Sequence, residues 1–361
     1  MRKYNFSAGP SMLPLPVLKK VQESLLDYEG SGMSVMEMSH RSGVYEKINA
    51  EAESLLRELM NIGDDYEVIF VQGGGSMQFE AVPLNLAHSS TSAKGDYIVS
   101  GNFSSKAYKE AIKYGDMVEV ASSKDKNYTY IPTTTPDMFR KNADYVHICY
   151  NNTIFGSRFV CPPDTGNIPL VADLSSIILS QEFDVNKFGV IYAGAQKNVG
   201  PAGMTIVIVR KDLLDQSNPL CPTMMKWKTQ TENKSLYNTP PAFSTYVAME
   251  VFKYIKSIGG VKAIQKINED KAKMLYDYID SSSFYSNPVE KQYRSLMNVP
   301  FVTPSKELDA KFVKEAEENG LTALKGHRLV GGMRASIYNA MPVEGVIALI
   351  DFMKKFEKEN A

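Results

Sequence analysis

The sequence predicts an α/β protein that has a large domain built on a mainly parallel sheet and a smaller α+β domain towards the C-terminus. Three observations predict this fold class. Short, continuously apolar runs alternate with helical stretches, as expected for strands that are covered on both faces of a sheet. The chain has 361 residues, more than one compact core normally contains. After about residue 256, longer helices flank short strands.

The elements of the large domain follow from the spacing of apolar residues. Helices are predicted for residues 17–28 and 44–60, where apolar side chains recur on one face. A third helix should follow the glycines after the first strand, and Pro83 should kink or end it. The predicted strands are the apolar, β-branched runs at residues 68–71, 97–99, 146–149, 170–172, 190–192 and 205–209.

The small domain is predicted to contain three helices and three strands. The helices lie near residues 261–281, 305–319 and 343–358, and the strands near residues 296–302, 321–324 and 333–338. We assign residues 16–256 to the large domain, and residues 1–15 together with 257–361 to the small domain.

Composition excludes several classes of function. The net charge of −1 gives no overall field that would attract nucleic acid or an acidic membrane. The three cysteines are odd in number and have no metal-ligand spacing, so we expect neither a disulfide framework nor a metal site. The N-terminus lacks a signal-peptide pattern, and the apolar runs are too short to span a bilayer. A cytoplasmic location is therefore predicted.

Three glycines follow the first predicted strand and precede a predicted helix. Glycines let backbone N–H groups approach an anion, and a helix N-terminus adds a favourable dipole, so Gly73-Gly74-Gly75 is a candidate phosphate site. The segment is neither a Walker loop nor the GxGxxG loop of dinucleotide-binding proteins. A simple turn between strand and helix remains the alternative.

Two charged residues end or follow predicted strands further along the chain. Asp173 stands at the carboxyl end of a strand, where sites in open α/β sheets gather, although it could instead cap a helix. Lys197 lies among small residues between two apolar strands, and a partly buried lysine can act as a nucleophile and base. The alternative for Lys197 is an exposed loop lysine.

Several segments together carry a resemblance that extends over nearly the whole chain. They resemble the phosphoserine aminotransferases, within the class-V family of fold-type-I pyridoxal-phosphate aminotransferases. The segments are residues 5–10 (NFSAGP), 34–41 (SVMEMSHR), 73–75 (GGG), 173–176 (DLSS), 192–203 (YAGAQKNVGPAG), 237–241 (YNTPP), 326–328 (GHR) and 331–334 (GGMR).

The resemblance implies pyridoxal 5′-phosphate as the cofactor and assigns its contacts. Lys197 is implied to hold the cofactor as a Schiff base and then to transfer the substrate's Cα proton. Asp173 is implied to pair with the pyridinium nitrogen, which keeps the ring able to accept electrons. The other implied cofactor-binding residues are Gly75, Ser76, Phe103, Thr153 and Gln196, together with Asn238 and Thr239 from the second subunit of a homodimer that shares its active sites.

The implied reaction is ping-pong transfer of an amino group from L-glutamate to 3-phosphohydroxypyruvate, which gives O-phosphoserine and 2-oxoglutarate in serine biosynthesis. 4-Phosphohydroxythreonine, in vitamin B6 biosynthesis, is a further substrate in parts of the family. Arg334 is implied to bind the α-carboxylate, because a guanidinium can contact it through two N–H groups. The residues implied for the distal anion are His40, Arg41, His327 and Arg328.

Two positions depart from the pattern of some relatives, and four other functions compete. Phe103 stands where a tryptophan often covers the cofactor ring, and Ser76 where some relatives carry an arginine that helps to bind the distal anion.

A cysteine desulfurase would need a reactive cysteine on a mobile loop, and an alanine–glyoxylate aminotransferase would not need the distal cations. A nicotinamide-dependent dehydrogenase lacks its GxGxxG loop here, and an inactive anion-binding scaffold would not need Lys197 or Asp173.

Overall fold

The computed structural model describes residues 2–88, 90 and 92–361. Its strands, in chain order, are β1 (Tyr4–Asn5), β2 (Tyr66–Val71), β3 (Ala93–Val99), β4 (Gly115–Ser122), β5 (Tyr145–Cys149), β6 (Leu170–Asp173), β7 (Val190–Gly194), β8 (Thr205–Arg210), β9 (Asn298–Phe301), β10 (Leu321–Thr322) and β11 (Met333–Ser336). Its helices are α1 (Leu15–Glu23), α2 (Gly43–Met60), α3 (Gly74–Asn85), α4 (Asn102–Ala111), α5 (Trp227–Glu232), α6 (Ala242–Ser257), α7 (Gly260–Ser281), α8 (Lys306–Glu318) and α9 (Val343–Asn360).

A seven-stranded sheet forms the centre of the large unit, in the order β2-β8-β7-β6-β5-β3-β4. Strand β8 runs antiparallel to both of its neighbours, and the other adjacent pairs are parallel. All six predicted strands are present, and the predicted α/β class is confirmed. Because β3, β5, β6 and β7 point the same way, their carboxyl ends meet at one edge of the sheet.

Helix boundaries agree with the prediction where caps are clear and differ where they are not. Helix α2 begins after Ser42, whose hydroxyl accepts from Tyr45 N–H, and Asn61 ends it in a left-handed conformation. The helix predicted for residues 17–28 is wrong at its C-terminal end, because α1 stops at Glu23. Tyr28 is buried from a turn instead, in which its N–H donates to the carbonyl of Met33.

Apolar side chains cover both faces of the central sheet, and a separate cluster forms the core of the small unit. Strands alternate their side chains between the faces, so residues such as Ile148 and Val171 enter different clusters. The small-unit core packs α7, α8 and α9 against the antiparallel pair β9–β11. The division at residues 16 and 256 remains a prediction.

The first residues of the chain connect the small unit to the edge of the central sheet. Strand β1 pairs in parallel with β10, which places Tyr4 opposite Leu321. Further along, the hydroxyl of Tyr338 donates to the carbonyl of Ala8 at 2.8 Å, and Ser11 N–H donates to the carbonyl of Gln196 at 3.0 Å. Residues 4–11 thereby contact both the C-terminal third of the chain and the loop after β7.

Candidate active site

A cavity of about 260 Å³ opens at the edge where the carboxyl ends of the parallel strands meet. This position is the usual one for a site in an open α/β sheet, because the loops leaving neighbouring strands surround it. The side chains and backbone that line the cavity belong to Ala8, Gly9, Gly75, Ser76, Phe79, Asn102, Phe103, Lys106, Cys149, Thr153, Ile154, Asp173, Ser175, Ser176, Gln196, Lys197, His327 and Arg334.

Lys197 lies in the loop between β7 and β8, with its side chain buried in the cavity wall. Its Nζ donates to Thr153 Oγ1 at 2.8 Å and stands 5.5 Å from the centroid of the Phe103 ring. Burial lowers the pKa of Lys197, and the nearby Asp173 opposes this shift. A lowered pKa increases the fraction of neutral amine, which is the nucleophilic form.

Asp173 ends β6, beside β7, and its carboxyl group is buried. Its Oδ1 accepts from the N–H of Ser175 at 2.8 Å, and the Ser175 hydroxyl accepts from the N–H of Gly194 at 3.0 Å. The chain continues in turns rather than in an α-helix, so Asp173 does not cap a helix. Burial raises the pKa of Asp173, whereas its hydrogen bonds to Ser175 and the positive charge of Lys197 partly lower it again.

The glycine run forms the start of α3 and one wall of the cavity. Gly73 has a φ of +89°, and a Cβ atom there would lie 2.5 Å from Met77 Cβ, so only glycine fits. The N–H groups of Gly75 and Ser76 lie in the first turn of α3, where helical N–H groups have no intrahelical partner. Together with the helix dipole, they provide an anion site at the cavity.

Arg334 and His327 supply further donors to the cavity. Arg334, on β11, donates through Nη1 to the carbonyl of Thr153 at 3.3 Å, while its buried Nε has no hydrogen-bond partner among the described residues. The guanidinium therefore retains donors for a bound anion. The pKa of His327 is lowered by burial first, and then by the charges of Arg334, Arg328 and Lys106.

The remaining predicted residues do not line this cavity within one chain. Arg328 is exposed in the neighbouring groove, which His327 also lines. His40 and Arg41 line a groove beside α2, and Asn238 lines a partly apolar groove next to α3. The carbonyl of Thr239 accepts from Gln72 Nε2 at 2.9 Å.

Several lining residues were missed by the sequence reasoning, although those within the quoted segments carried a signal. Ala8 and Gly9 belong to the quoted segment at residues 5–10, and Ser175 follows Asp173 in its segment. A Cβ atom on Gly9 would lie 3.3 Å from Lys197 Cγ, so the N-terminal segment packs directly on the lysine stem. For Lys106, no motif in the sequence pointed to the cavity.

Cys149 and Cys221 lack the features of a desulfurase nucleophile. Cys149 lies on β5 inside the cavity wall, and burial raises the pKa of its thiol well above the usual value. Burial also raises the pKa of Cys221 to about 11. Neither thiol forms thiolate readily at neutral pH, and both are held in ordered, buried positions.

Comparison with known proteins decides the family. The sequence model of the aminotransferase class-V family matches residues 3–349. The chain belongs to the class-V aminotransferase family. Among curated class-V relatives, phosphoserine aminotransferase from Bacillus cereus is 55% identical over 359 residues, which cover 99% of each chain. The Listeria monocytogenes protein of the same name is 58% identical and covers 98% of this chain and 96% of its own.

Solved class-V structures agree with this fold over the full length. Phosphoserine aminotransferase from Bacillus circulans subsp. alkalophilus superposes with a TM-score of 0.96 at 46% identity, covering 100% of this chain and 99% of its own. A phosphoserine aminotransferase from Trichomonas vaginalis, described as PLP bound, gives a TM-score of 0.92 at 39% identity and covers 98% and 100%. The predicted fold-type-I architecture is thereby confirmed.

Proposed function

We propose that this aminotransferase transfers an amino group from L-glutamate to 3-phosphohydroxypyruvate, which yields O-phosphoserine and 2-oxoglutarate. The observation that carries the proposal is the convergence of three groups on one cavity. The Lys197 amine, the Asp173 carboxyl group and the N–H groups at the start of α3 all line it. The full-length relatives named phosphoserine aminotransferase support the choice of substrate.

The residues of the cavity fit pyridoxal 5′-phosphate. Gly75 has no side chain where a Cβ atom would lie 3.1 Å from Ser175 Oγ and 3.8 Å from Asp173 Oδ2, so this wall stays open to a flat ring. The first turn of α3 would hold the phosphate, and the Phe103 ring would cover one face of the cofactor. The buried Asp173 carboxylate suits a protonated ring nitrogen, because a buried charge requires an opposite partner.

The protein's own groups perform the positioning and the proton transfers. When bound, the cofactor supplies an electron sink for the pair released at the substrate's Cα. Lys197 would take the proton from Cα and deliver it to the C4′ carbon of the cofactor, and its lowered pKa suits both roles. Thr153 orients the Lys197 amine through the 2.8 Å hydrogen bond. Arg334, whose Nε has no hydrogen-bond partner among the described residues, binds the α-carboxylate.

A homodimer with shared sites completes the proposal. His40, Arg41, Asn238 and Thr239 lie away from their own chain's cavity, so a second copy would supply them to it. Apolar side chains near these segments support a covered surface: Met36, Met77 and Tyr237 are 58%, 39% and 43% exposed. In the dimer, His40 and Arg41 would bind the distal anion, while Asn238 and Thr239 would close on the cofactor phosphate.

We place the enzyme in the cytoplasm, where free cysteines persist and amino-acid synthesis takes place. Its cysteines are all unpaired, as expected for a reducing compartment. Within the described part of the chain, no helix combines the length and apolar character needed to cross a bilayer.

A half-reaction assay tests the proposed function. The cofactor-loaded enzyme is mixed separately with phosphoserine, glutamate and alanine, and the visible absorption of the cofactor is followed with time. Phosphoserine and glutamate should convert the cofactor to its amino form rapidly, and alanine slowly. Rapid conversion by alanine with none by phosphoserine would refute the proposed substrate and leave the family unaffected.

A further inference from the structure

A lysine that the mechanism above does not use lies at the mouth of the cavity. Lys106 occupies the second turn of α4, on the same face as Asn102 and Phe103, and all three residues line the cavity. Its Nζ stands 5.6 Å from the centroid of the Phe103 ring, at nearly the same distance as the Lys197 amine. Attraction between an ammonium group and the ring face orients the Lys106 side chain along Phe103.

The Lys106 charge is available to a ligand. Within the part of the chain that the structure describes, Lys106 makes no hydrogen bond or ion pair with another side chain. Seven residues further along the chain, Lys113 is instead paired with Glu110 at 2.6 Å. The Lys106 ammonium is exposed at the cavity rim, where a substrate entering from solvent would meet it.

Besides the α-carboxylate and the cofactor phosphate, the cavity must bind the distal phosphate of the substrate, to which His40 and Arg41 would contribute only from the second chain. Arg334 is committed to the α-carboxylate, and the start of α3 to the cofactor phosphate. Burial and the neighbouring cations lower the pKa of His327, which disfavours its charged form. Ser76 contributes a hydroxyl group only. Among the cavity-lining residues of this chain, Lys106 is the cation that remains for a second anion.

We propose that Lys106 binds the distal phosphate of the substrate and favours this dianion over the distal carboxylate of glutamate. The proposal rests on the proposed function. A lysine ammonium is a compact point charge, and its attraction grows with the charge of its partner. Phosphate carries up to two negative charges at neutral pH, whereas a carboxylate carries one. Lys106 would thus supply, from the same chain, charge that Ser76 cannot.

The test compares three variants of the cofactor-loaded enzyme. Lys106→Met removes the charge but keeps an apolar stem over Phe103, and Lys106→Arg keeps the charge. Lys109→Met is the matched control, because Lys109 is exposed on α4 and does not line the cavity. Each variant is assayed for kcat/KM in the half-reaction with phosphoserine, glutamate and alanine. Inhibition of the alanine half-reaction by inorganic phosphate is measured in parallel.

Lys106→Met should lower kcat/KM for phosphoserine on the order of 10-fold, since a charge-assisted contact at a solvent-exposed rim is weaker than a buried one. The loss with glutamate should be clearly smaller, and with alanine smaller still. Inorganic phosphate should inhibit this variant several-fold less strongly, while Lys106→Arg should keep the preference for phosphoserine and Lys109→Met should resemble the parent enzyme.

Three outcomes would overturn the assignment. Equal losses with all three substrates, or weaker binding of the cofactor itself, would mean that Lys106 acts through Phe103 or the cofactor. An unchanged preference together with unchanged phosphate inhibition would mean that it binds no distal anion. The phosphate arm keeps this test separate from the proposed function, because it gives a result even if the parent enzyme fails to convert phosphoserine.

Discussion

Replacing Asp173 by asparagine should affect activity and apo-protein stability in opposite directions. Asparagine keeps an oxygen that can accept from Ser175 N–H, so the 2.8 Å bond and the turn after β6 should persist. The variant loses only the charge that would face the cofactor's ring nitrogen. Breaking a buried ion pair costs roughly 3–5 kcal/mol. At about 1.4 kcal/mol per tenfold change in rate, transamination should slow by at least about 100-fold.

The stability of the empty protein should respond in the other direction. Burial raises the pKa of Asp173 above its unfolded value, so the folded state binds this proton more tightly than the unfolded state does. The stability contributed by this group is therefore full below the ordinary aspartate pKa and is lost as pH rises through the folded pKa. At neutral pH, apo Asp173→Asn should melt at the same temperature as the parent protein or higher.

Stopped-flow half-reactions and thermal melts of the cofactor-free proteins measure the two effects. Asp184→Asn is the matched control, since Asp184 is exposed and its Oδ1 also accepts from a backbone N–H two residues on, at 3.1 Å. The control should change neither activity nor melting temperature. Turnover of Asp173→Asn within a few-fold of the parent rate would refute the role of Asp173.

Four further predictions test Lys197, Arg334, Arg41 and the dimer. Lys197→Ala should bind the cofactor without a covalent bond and lose nearly all transamination; borohydride fixation at another lysine with activity intact would contradict this. Arg334→Ala should impair all amino-acid substrates alike, because each carries an α-carboxylate. Arg41→Ala should lower kcat/KM about 10- to 100-fold for phosphoserine and glutamate but much less for alanine; equal fractional losses would argue against a distal site. Sedimentation should show a dimer at assay concentration, and an active monomer would exclude shared sites.

Much of the fold could be predicted because the buried central strands are mainly apolar. The run in β8, residues Thr205–Arg210, is an example. Strand β4 was missed because it lies at the sheet edge, where exposed polar residues interrupt its apolar pattern. The antiparallel direction of β8 also left no trace in its composition. Helix α1 was predicted too long because Tyr28 continues the apolar spacing, although it is buried from a turn.

The residues of the candidate site could be predicted where they lie in the segments that carry the family resemblance. Lys197, Asp173 and Gly75 lie far apart in the sequence, and the parallel strands bring them to one sheet edge. Local patterns suggested each of them, but only the topology shows that they meet. Lys106 was missed because a lysine on an amphipathic helix has the pattern of any solvated face. His40 and Arg41 remain predictions, since their place at the site depends on a second chain.

The pairing of β1 with β10 has a consequence for the order of folding. Tyr4 lies opposite Leu321, so the two ends of a very long loop must meet before this contact forms. Contacts of such large sequence separation form late, because chain closure costs entropy before they stabilise the fold. Ala8 and Gly9, which follow β1, form part of the cavity wall against Lys197. A nascent chain could therefore assemble most of the central sheet during synthesis, but it could complete its cofactor pocket only after residue 322 has emerged. During refolding, cofactor capture should accordingly lag behind the recovery of sheet structure.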